Sequence, residues 1–380
     1  MPKSNKICVN FACFFQRFGL SFSVMTFFDL IKILLLWPFS LLYWLSVEMR
    51  VFTYRTGLVR SHKAAVPVIS IGNIVAGGTG KTPMAIYVVQ ILIGQGFRTA
   101  VLSRGYRRKS KTKNQRSKSL VVSDGISILC QADEAGDEPF LMASRLLGTE
   151  EKPGAMVIVG QDRVAGAEKA VEMRAQVIVL DDGFQHLRLK RDLDILLLDG
   201  QRPYDNGWLL PAGMLREPVR ALRRADAIVL TRCINLNSEF RIQNSAAAMF
   251  KTRHKTGQPY RFADRSTPDM EALKSFRIIL FSGIARPGSF EQSVRQAGLS
   301  FAEHTKYPDH QHYNRDHLKQ IAKKAERCDC LLTTEKDAVK LPPGADLGKP
   351  LFVLPVEIDF LDEPQKQKFD NIVLDKVRIK

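Results

Sequence analysis

The chain has 380 residues, 45% of them hydrophobic and 25% charged, which excludes an intrinsically disordered protein and accommodates one large or two modest α/β domains. Lys and Arg number 56 against 39 Asp and Glu, so the net charge of +17 favours anionic partners: nucleic acid, lipid headgroups or phosphorylated substrates. The six cysteines show no paired CxxC spacing and no repeat has a fixed period, which argues against a zinc site, a disulfide scaffold or a solenoid.

Residues 11–47 form a strongly apolar segment near the N-terminus. Its longest uncharged piece, 33–47, contains Pro38 and is shorter than the ~20 residues that a transmembrane helix needs. Apolar residues recur there at helical spacing and arginines follow, a pattern typical of a helix in the headgroup region. We therefore expect a membrane-associating helix within residues 1–50. A single transmembrane span and a core helix of a soluble domain remain the alternatives.

Beyond residue 65, short β-rich runs alternate with helical patterns, which predicts βαβ units and a mainly parallel sheet. A polar, irregular stretch at 235–266 suggests a boundary between a P-loop core at 51–235 and a smaller C-terminal α/β domain at 236–380. The candidate strands are 66–71, 99–103, 156–159, 177–180, 194–198, 227–230, 277–281, 330–333 and 351–356, and the candidate helices are 83–93, 162–172, 290–296 and 317–325.

A basic segment at 104–118 carries eight Lys and Arg residues without hydrophobic periodicity. We expect a solvated loop whose charge could also hold anionic lipid or phosphate at the edge of a site. Nucleic acid is not an expected partner, because Tyr106 is the only aromatic residue available there for base stacking.

A glycine-rich segment that ends in Gly-Lys-Thr follows the first candidate strand and precedes a helix, as in a Walker A phosphate loop. Backbone N–H groups and the helix N-terminus would bind phosphates, the Lys81 ammonium would reach the β- and γ-phosphates, and the Thr82 hydroxyl would ligate Mg²⁺. The consensus first glycine is replaced by valine. The predicted nucleotide-binding residues are Val75, Ala76, Gly77, Gly78, Thr79, Gly80, Lys81 and Thr82.

The apolar run 177–180 ends in Asp181 and Asp182, as a Walker B strand does when it delivers carboxylates to a magnesium ion. Ligands of parallel sheets bind at the carboxyl ends of the strands, so this position agrees with that of the phosphate loop. A helix N-cap is the alternative explanation for the two aspartates.

The motifs taken together resemble the tetraacyldisaccharide 4'-kinase family, over nearly the whole chain. The strings that carry the resemblance are 72–73 (GN), 77–83 (GGTGKTP), 103–106 (SRGY), 136–139 (GDEP), 181–186 (DDGFQH), 191–194 (RDLD), 210–218 (LPAGMLREP), 281–287 (FSGIARP), 309–310 (DH) and 334–337 (TEKD). Two features depart from the family pattern: the basic insertion at 107–118 and the long apolar leader.

The resemblance implies a kinase that transfers the γ-phosphate of ATP, with Mg²⁺, to the 4'-hydroxyl of a tetraacylated, 1-phosphorylated glucosamine disaccharide. The product would be lipid IVA of lipid A biosynthesis, and the enzyme would act at the cytoplasmic face of the bacterial inner membrane without an obligate protein partner. It implies Asp137, in a loop, as catalytic base, with His310 tuning or relaying its proton and with Lys81 and Asp182 also catalytic. The candidate substrate-binding residues are Tyr106, Glu138, Arg163, Gln185 and Arg216.

Two other functions share part of these features. A P-loop NTPase that performs conformational work, such as a metallochaperone or partitioning ATPase, would also carry the Gly-Lys-Thr and Asp-Asp motifs. A non-enzymatic nucleic-acid binder is suggested by the positive charge alone. The first of these would hydrolyse ATP without lipid, and the second would bind generic DNA independently of Lys81.

Overall fold

Two β-sheets with helices on their faces organise the described part of the chain. The structure is a computed structural model, and it describes residues 27–105, 119–233, 246–342 and 344–378. In chain order, the elements are α1 (Phe27–Arg55), β1 (Val68–Asn73), α2 (Lys81–Gly94), β2 (Thr99–Ser103), β3 (Leu120–Ser123), α3 (Ala132–Ala135), α4 (Asp137–Arg145), β4 (Met156–Val159), α5 (Arg163–Glu172), β5 (Val177–Asp181), β6 (Leu193–Asp199), a 3₁₀ turn (Val219–Arg224), β7 (Ala227–Thr231), β8 (Ala248–Thr256), β9 (Tyr260–Arg261), α6 (Met270–Ser275), β10 (Ile278–Ser282), α7 (Pro287–Gln296), β11 (Glu303–Lys306), α8 (Arg315–Ala325), β12 (Cys330–Thr334), α9 (Glu335–Ala338), β13 (Leu351–Leu354), β14 (Val356–Phe360) and α10 (Glu363–Arg378).

The first sheet contains nine of the described strands, in the order β14-β8-β7-β6-β1-β5-β2-β4-β3. Its neighbours from β8 to β4 run parallel, and the two edge strands run antiparallel. Strands β1, β5 and β6 are buried along their whole length, which explains why their sequences are almost continuously apolar. The register pairs Ile71 of β1 with Asp181 of β5, so the predicted phosphate loop and carboxylates emerge at the same edge.

The second sheet contains five described strands, in the order β11-β10-β12-β13-β9. It has its own apolar clusters on both faces, one around Leu280 and Leu332 and the other around Phe281 and Leu331. The predicted fold class is therefore confirmed: a large, mainly parallel sheet, a smaller α/β unit and an N-terminal apolar helix.

The second sheet does not extend to either end of the predicted C-terminal domain, residues 236–380. Strand β8 extends the first sheet, and β14 and α10 return to it after the second sheet is complete. The candidate strand 351–356 is in fact two strands, because the chain changes sheets at Pro355, which lies between Leu354 and Val356 and cannot donate a ladder hydrogen bond.

Helix α1 lies against the segment 209–220 of the first unit. Ser40 Oγ donates to the Leu209 carbonyl (3.0 Å) and accepts from the Ala212 amide (3.0 Å), and Tyr43 Oη donates to the Arg216 carbonyl (3.0 Å). By length and composition, its part Ile31–Arg55 could also cross a membrane. The face away from the protein is apolar and exposed, with Leu34, Leu35, Leu42, Leu45, Met49 and Phe52 at 52–67% of their accessible surface.

Candidate functional site

The phosphate loop connects β1 to α2 and depends on two glycines in the left-handed region, Gly77 (φ 117°) and Gly80 (φ 87°). A Cβ at Gly80 would lie 2.8 Å from Nε2 of His254, so a larger residue would displace the loop or β8. Nothing lies within 4 Å of a Cβ built at Gly77 or Gly78, which leaves the backbone on that side accessible to a ligand.

Side chains from neighbouring segments hold this loop in place. Asn73 Nδ2 donates to the Val75 carbonyl (2.6 Å) and to Thr79 Oγ1 (2.9 Å), and Thr231 Oγ1 donates to the Thr79 carbonyl (3.0 Å). Val75, which replaces the consensus glycine, forms an antiparallel bridge with Leu215. An extended residue needs no glycine, so the replacement is compatible with a preorganised loop.

The ends of β5 and α2 bring Lys81 and the two aspartates together. Lys81 Nζ lies 3.7 Å from Asp182 Oδ1, and Arg216 Nη1 contacts both Asp182 oxygens at 3.0 and 2.9 Å. Asp181 is buried, and its Oδ2 accepts a hydrogen bond from Ser103 Oγ (3.0 Å). Sequence reasoning predicted Lys81, Asp182 and Arg216 separately, and the structure places them in one ion-pair cluster.

The two aspartates have opposite electrostatic environments. Burial, together with the negative charges of Glu138 and Asp182, raises the pKa of the Asp181 carboxyl to about 6. Burial opposes ionisation of Asp182 as well, but the positive charges of Lys81 and Arg216 outweigh it and lower the pKa of Asp182. A cation next to Asp181 would relieve its unfavourable charge.

Asp137 and His310 come from different units and lie close to each other. His310 Nδ1 lies 3.8 Å from Asp137 Oδ2, which is longer than a hydrogen bond. His310 has a left-handed backbone (φ 60°), and its amide donates to the Gly283 carbonyl (3.1 Å). Asp137 was predicted to lie in a loop, but it is the first residue of α4. The helix tolerates Pro139 because its first turn needs no amide donor there.

Glu138 and Lys336 form a second contact between the two units, with Oε1 and Nζ 3.0 Å apart. The charges of Lys81 and Asp182 also act on Glu138, which places the start of α4 beside the phosphate loop. Lys336 was not predicted as a site residue, although it belongs to the TEKD string.

The remaining predicted residues have distinct positions. Arg163 is 4% exposed at the start of α5, where Nη1 donates to the Gly160 carbonyl and Nε has no partner. Gln185 Nε2 donates to the Asn73 carbonyl (2.9 Å) and to Glu217 Oε1 (3.0 Å), so it braces the strand that carries the phosphate loop. Tyr106 and the basic segment 107–118 lie outside the described residues.

Sequence reasoning missed several residues that the structure places at the site: Asn73, Ser103, Glu217, Thr231 and Lys336. Asn73, Ser103 and Thr231 are the last residues of β1, β2 and β7. A polar residue at the carboxyl end of a parallel strand was the signal that could have found them.

The metal ligands available are the hydroxyl of Thr82 and the carboxylates of Asp181 and Asp182. Among the described residues, no group of three or more His, Cys, Asp and Glu side chains is arranged to hold a metal. This limited set of oxygen donors fits Mg²⁺, which keeps several waters and binds through one or two carboxylates plus phosphates. Thr82 and Asp181 are both buried, so bulk solvent does not balance the negative charge of an ionised Asp181.

Comparison with known proteins gives matches over both units. The family described as LpxK, tetraacyldisaccharide-1-P 4'-kinase, matches residues 32–378. Tetraacyldisaccharide 4'-kinase of Pelobacter propionicus is 41% identical over 310 residues, 81% of this chain and 82% of its own. The protein of that name in Syntrophus aciditrophicus is 40% identical over 369 residues, 91% and 93% of the two chains. A crystal structure of LpxK from Aquifex aeolicus in complex with ATP superimposes with a TM-score of 0.73 and 32% identity, over 91% of this chain and 99% of that one.

Proposed function

The chain belongs to the tetraacyldisaccharide 4'-kinase family, and from this we propose that it transfers the γ-phosphate of ATP to the 4'-hydroxyl of a tetraacylated glucosamine disaccharide 1-phosphate. The product is lipid IVA, an intermediate of lipid A biosynthesis. The observation that supports this most is the Lys81–Asp182–Arg216 cluster at the start of α2, whose charges act on Glu138, the neighbour of Asp137.

Incubation with labelled ATP and a mono-phosphorylated glycolipid disaccharide tests this function directly. We expect label in the lipid fraction, dependent on both substrates. Rapid ATP hydrolysis without lipid, and no label in the lipid fraction, would instead identify an NTPase that performs conformational work.

The phosphate loop would hold the triphosphate through its backbone N–H groups and the N-terminus of α2. Lys81 would stabilise the charge that develops between the β- and γ-phosphates. Thr82, Asp181 and Asp182 would hold Mg²⁺, which neutralises phosphate charge when bound. Arg216 would keep Asp182 oriented through its two-oxygen contact and remain beside the transferring phosphate.

The acceptor hydroxyl must lose its proton during transfer, because its pKa lies far above neutrality. Asp137 is a half-buried carboxylate at the start of α4 and is the candidate base. His310 would orient Asp137 or pass on the proton. Because His310 belongs to the second unit, its distance from Asp137 depends on the relative position of the two units. The candidate residues for contact with the substrate are Glu138 and Arg163. Gln185 would hold the strand that precedes the phosphate loop.

Replacement of Asp181 or Asp182 by asparagine tests the metal assignment. We expect each variant to need at least about tenfold more Mg²⁺ for half-maximal activity, because asparagine keeps the shape but removes the anionic ligand. The measurement is a magnesium titration of initial rates. Asp264→Asn, which changes an exposed turn aspartate of the second unit, is the matched control. Unchanged titrations in both variants would contradict the Walker B assignment.

The apolar N-terminal helix is consistent with peripheral membrane association. We propose that α1 lies in the cytoplasmic surface of the inner membrane, where the lipid substrate is held. Ser40 and Tyr43 bind one side of α1 to the first unit, and the exposed face opposite them would enter the headgroup region. A helix held to the enzyme near its middle, at Ser40 and Tyr43, fits a membrane surface better than a transmembrane span.

Substitution of the exposed face of α1 tests this orientation. Leu35, Leu42 and Met49 are each more than 60% exposed and lie seven residues apart, so changing all three to glutamine removes one apolar stripe. We expect at least a tenfold loss of binding to vesicles of phosphatidylethanolamine and phosphatidylglycerol, with ATP binding unchanged, because each buried side chain contributes about 1.5–3 kcal/mol.

The matched control changes exposed apolar residues elsewhere, Ile126, Leu129 and Leu147, to glutamine. Vesicle flotation and thermal melting are measured for both triple variants. Equal vesicle binding by wild type and by the α1 variant would show that the membrane contact lies elsewhere.

A further inference from the structure

Asp337, the third residue of α9, is a charged residue with no solvent-exposed surface, and the proposed mechanism does not use it. Its Oδ1 accepts hydrogen bonds from the Gly283 amide (3.0 Å) and the Tyr313 hydroxyl (3.0 Å). Its Oδ2 accepts a hydrogen bond from Thr334 Oγ1 (2.7 Å). Lys340 Nζ lies 3.4 Å from Oδ1, and its side chain is only 3% exposed, so the ion pair is enclosed within the second unit.

Folding stability alone is a weak explanation for this buried ion pair. Removal of two charges from water costs about as much free energy as their attraction returns, and apolar residues of similar size often stabilise a core equally well. A buried polar network whose members are all hydrogen-bonded instead makes its surroundings rigid. The effect of Asp337 is therefore on the segment that its carboxylate holds in place.

Gly283, the first residue after β10, connects Asp337 to His310. Its amide donates to the Asp337 carboxylate, and its carbonyl accepts a hydrogen bond from the His310 amide (3.1 Å). A Cβ built at Gly283 would lie 2.7 Å from Gln311 Cβ and 3.0 Å from the Pro308 carbonyl oxygen, so the chain around His310 packs directly on this glycine. The left-handed backbone of His310 is a strained conformation, which persists only where the surrounding structure enforces it.

The other two charged residues of α9 contact α4, the helix that begins with Asp137. Lys336 Nζ lies 3.0 Å from Oε1 of Glu138, at the start of α4. Glu335 Oε1 lies 3.0 Å from Nη1 of Arg145, the last residue of α4. A single turn of helix thus contacts both chain segments whose side chains approach each other at the proposed catalytic centre.

We propose that α9 sets the position of His310 relative to Asp137, and that Asp337 is a positioning residue that acts on His310 through Gly283. Asp337 has no exposed surface and so does not contact a substrate itself. Each residue of the TEKD string then has a contact in the same arrangement. The inference rests on the proposed function, because it assumes that His310 takes part in removal of the proton from the acceptor.

The first test is Asp337→Ala, which removes the acceptor for the Gly283 amide. We expect kcat to fall at least about tenfold, because a small misplacement of a positioned group can cost as much as about 10²-fold in rate. The KM for ATP should change little, since the phosphate loop lies in the other unit. Lys340→Met is the matched control, because it removes the other half of the same buried pair and leaves the hydrogen bond between Asp337 and Gly283. Both variants should melt at lower temperature than the wild type, and only Asp337→Ala should lower kcat.

A second comparison separates action through His310 from a general loss of structure. The value of kcat is measured for His310→Ala alone and for His310→Ala combined with Asp337→Ala. We expect the second substitution to lower kcat little once the histidine is absent, whereas independent effects would multiply. Gly283→Ala gives the same test if Asp337→Ala does not fold. Its Cβ would displace the segment 308–311 without removing a buried charge, and it should show the same pattern.

The contrary outcomes are distinct. Wild-type kcat in Asp337→Ala, or losses that multiply in the double variant, would overturn the positioning role and leave the kinase function intact. An equal loss of kcat in Lys340→Met would also overturn it, because the effect would then come from core stability. Wild-type kcat in His310→Ala would leave Asp337 no histidine function to support. A wild-type protein that transfers no label to lipid would reject the proposed function itself, and this inference with it.

Discussion

Lys81→Ala is expected to lower the rate of phosphoryl transfer by two to three orders of magnitude and to leave the protein folded. The ammonium would stabilise charge that develops between the β- and γ-phosphates, and loss of one such preorganised group costs about 3–4 kcal/mol in the transition state. The fold should tolerate the change, because Asp182 keeps both of its contacts with Arg216.

Initial rates and thermal melting are measured together for this variant. Lys169→Ala on α5 removes an exposed lysine of the same unit and serves as the matched control. Turnover at the wild-type level in Lys81→Ala would reject the phosphate-loop assignment. A large drop in melting temperature would show that Lys81 has a structural role that its contacts do not suggest.

Asp137→Asn is expected to lower kcat by about 10²–10⁴ and to change the KM for ATP little. Asparagine has the same shape but cannot accept the proton of the sugar hydroxyl, so the loss is confined to the transition state. Stability should fall only slightly, by about 0.3–1 kcal/mol, because a negative charge at the start of α4 is lost. Steady-state kinetics with both substrates measure this difference.

The control for Asp137 is Asp133→Asn, four residues earlier and exposed on α3. His310→Ala should lower kcat less than Asp137→Asn, because His310 would act on the proton through Asp137. A normal kcat with a raised KM in Asp137→Asn would identify a binding residue instead of a base.

The strands that sequence reasoning missed share a physical cause. The segment 235–266 was interpreted as irregular, but it contains β8, whose outer positions are exposed and polar because the strand lies near the sheet edge. Edge strands β3 and β14 are only partly buried as well. A weak apolar pattern follows from burial on one face, so such strands resemble loops in a sequence.

The sequence by itself determined the elements whose cause is local. A buried parallel strand requires a continuous apolar run, and a phosphate loop requires glycines, lysine and threonine directly before a helix, so both could be recognised within about fifteen residues. The apolar character of α1 was also recognisable, because its apolar residues form one contiguous segment of the chain. These features depend on neighbours along the chain.

Only the tertiary structure decided which distant residues meet. Asp137 lies beside His310 because the two units pack against each other, and Arg216 reaches Asp182 because the segment after β6 folds back over the phosphate loop. The docking of Tyr43 on the Arg216 carbonyl likewise depends on where that segment lies. Such contacts follow from the packing of whole elements, and no local spacing in the sequence encodes them.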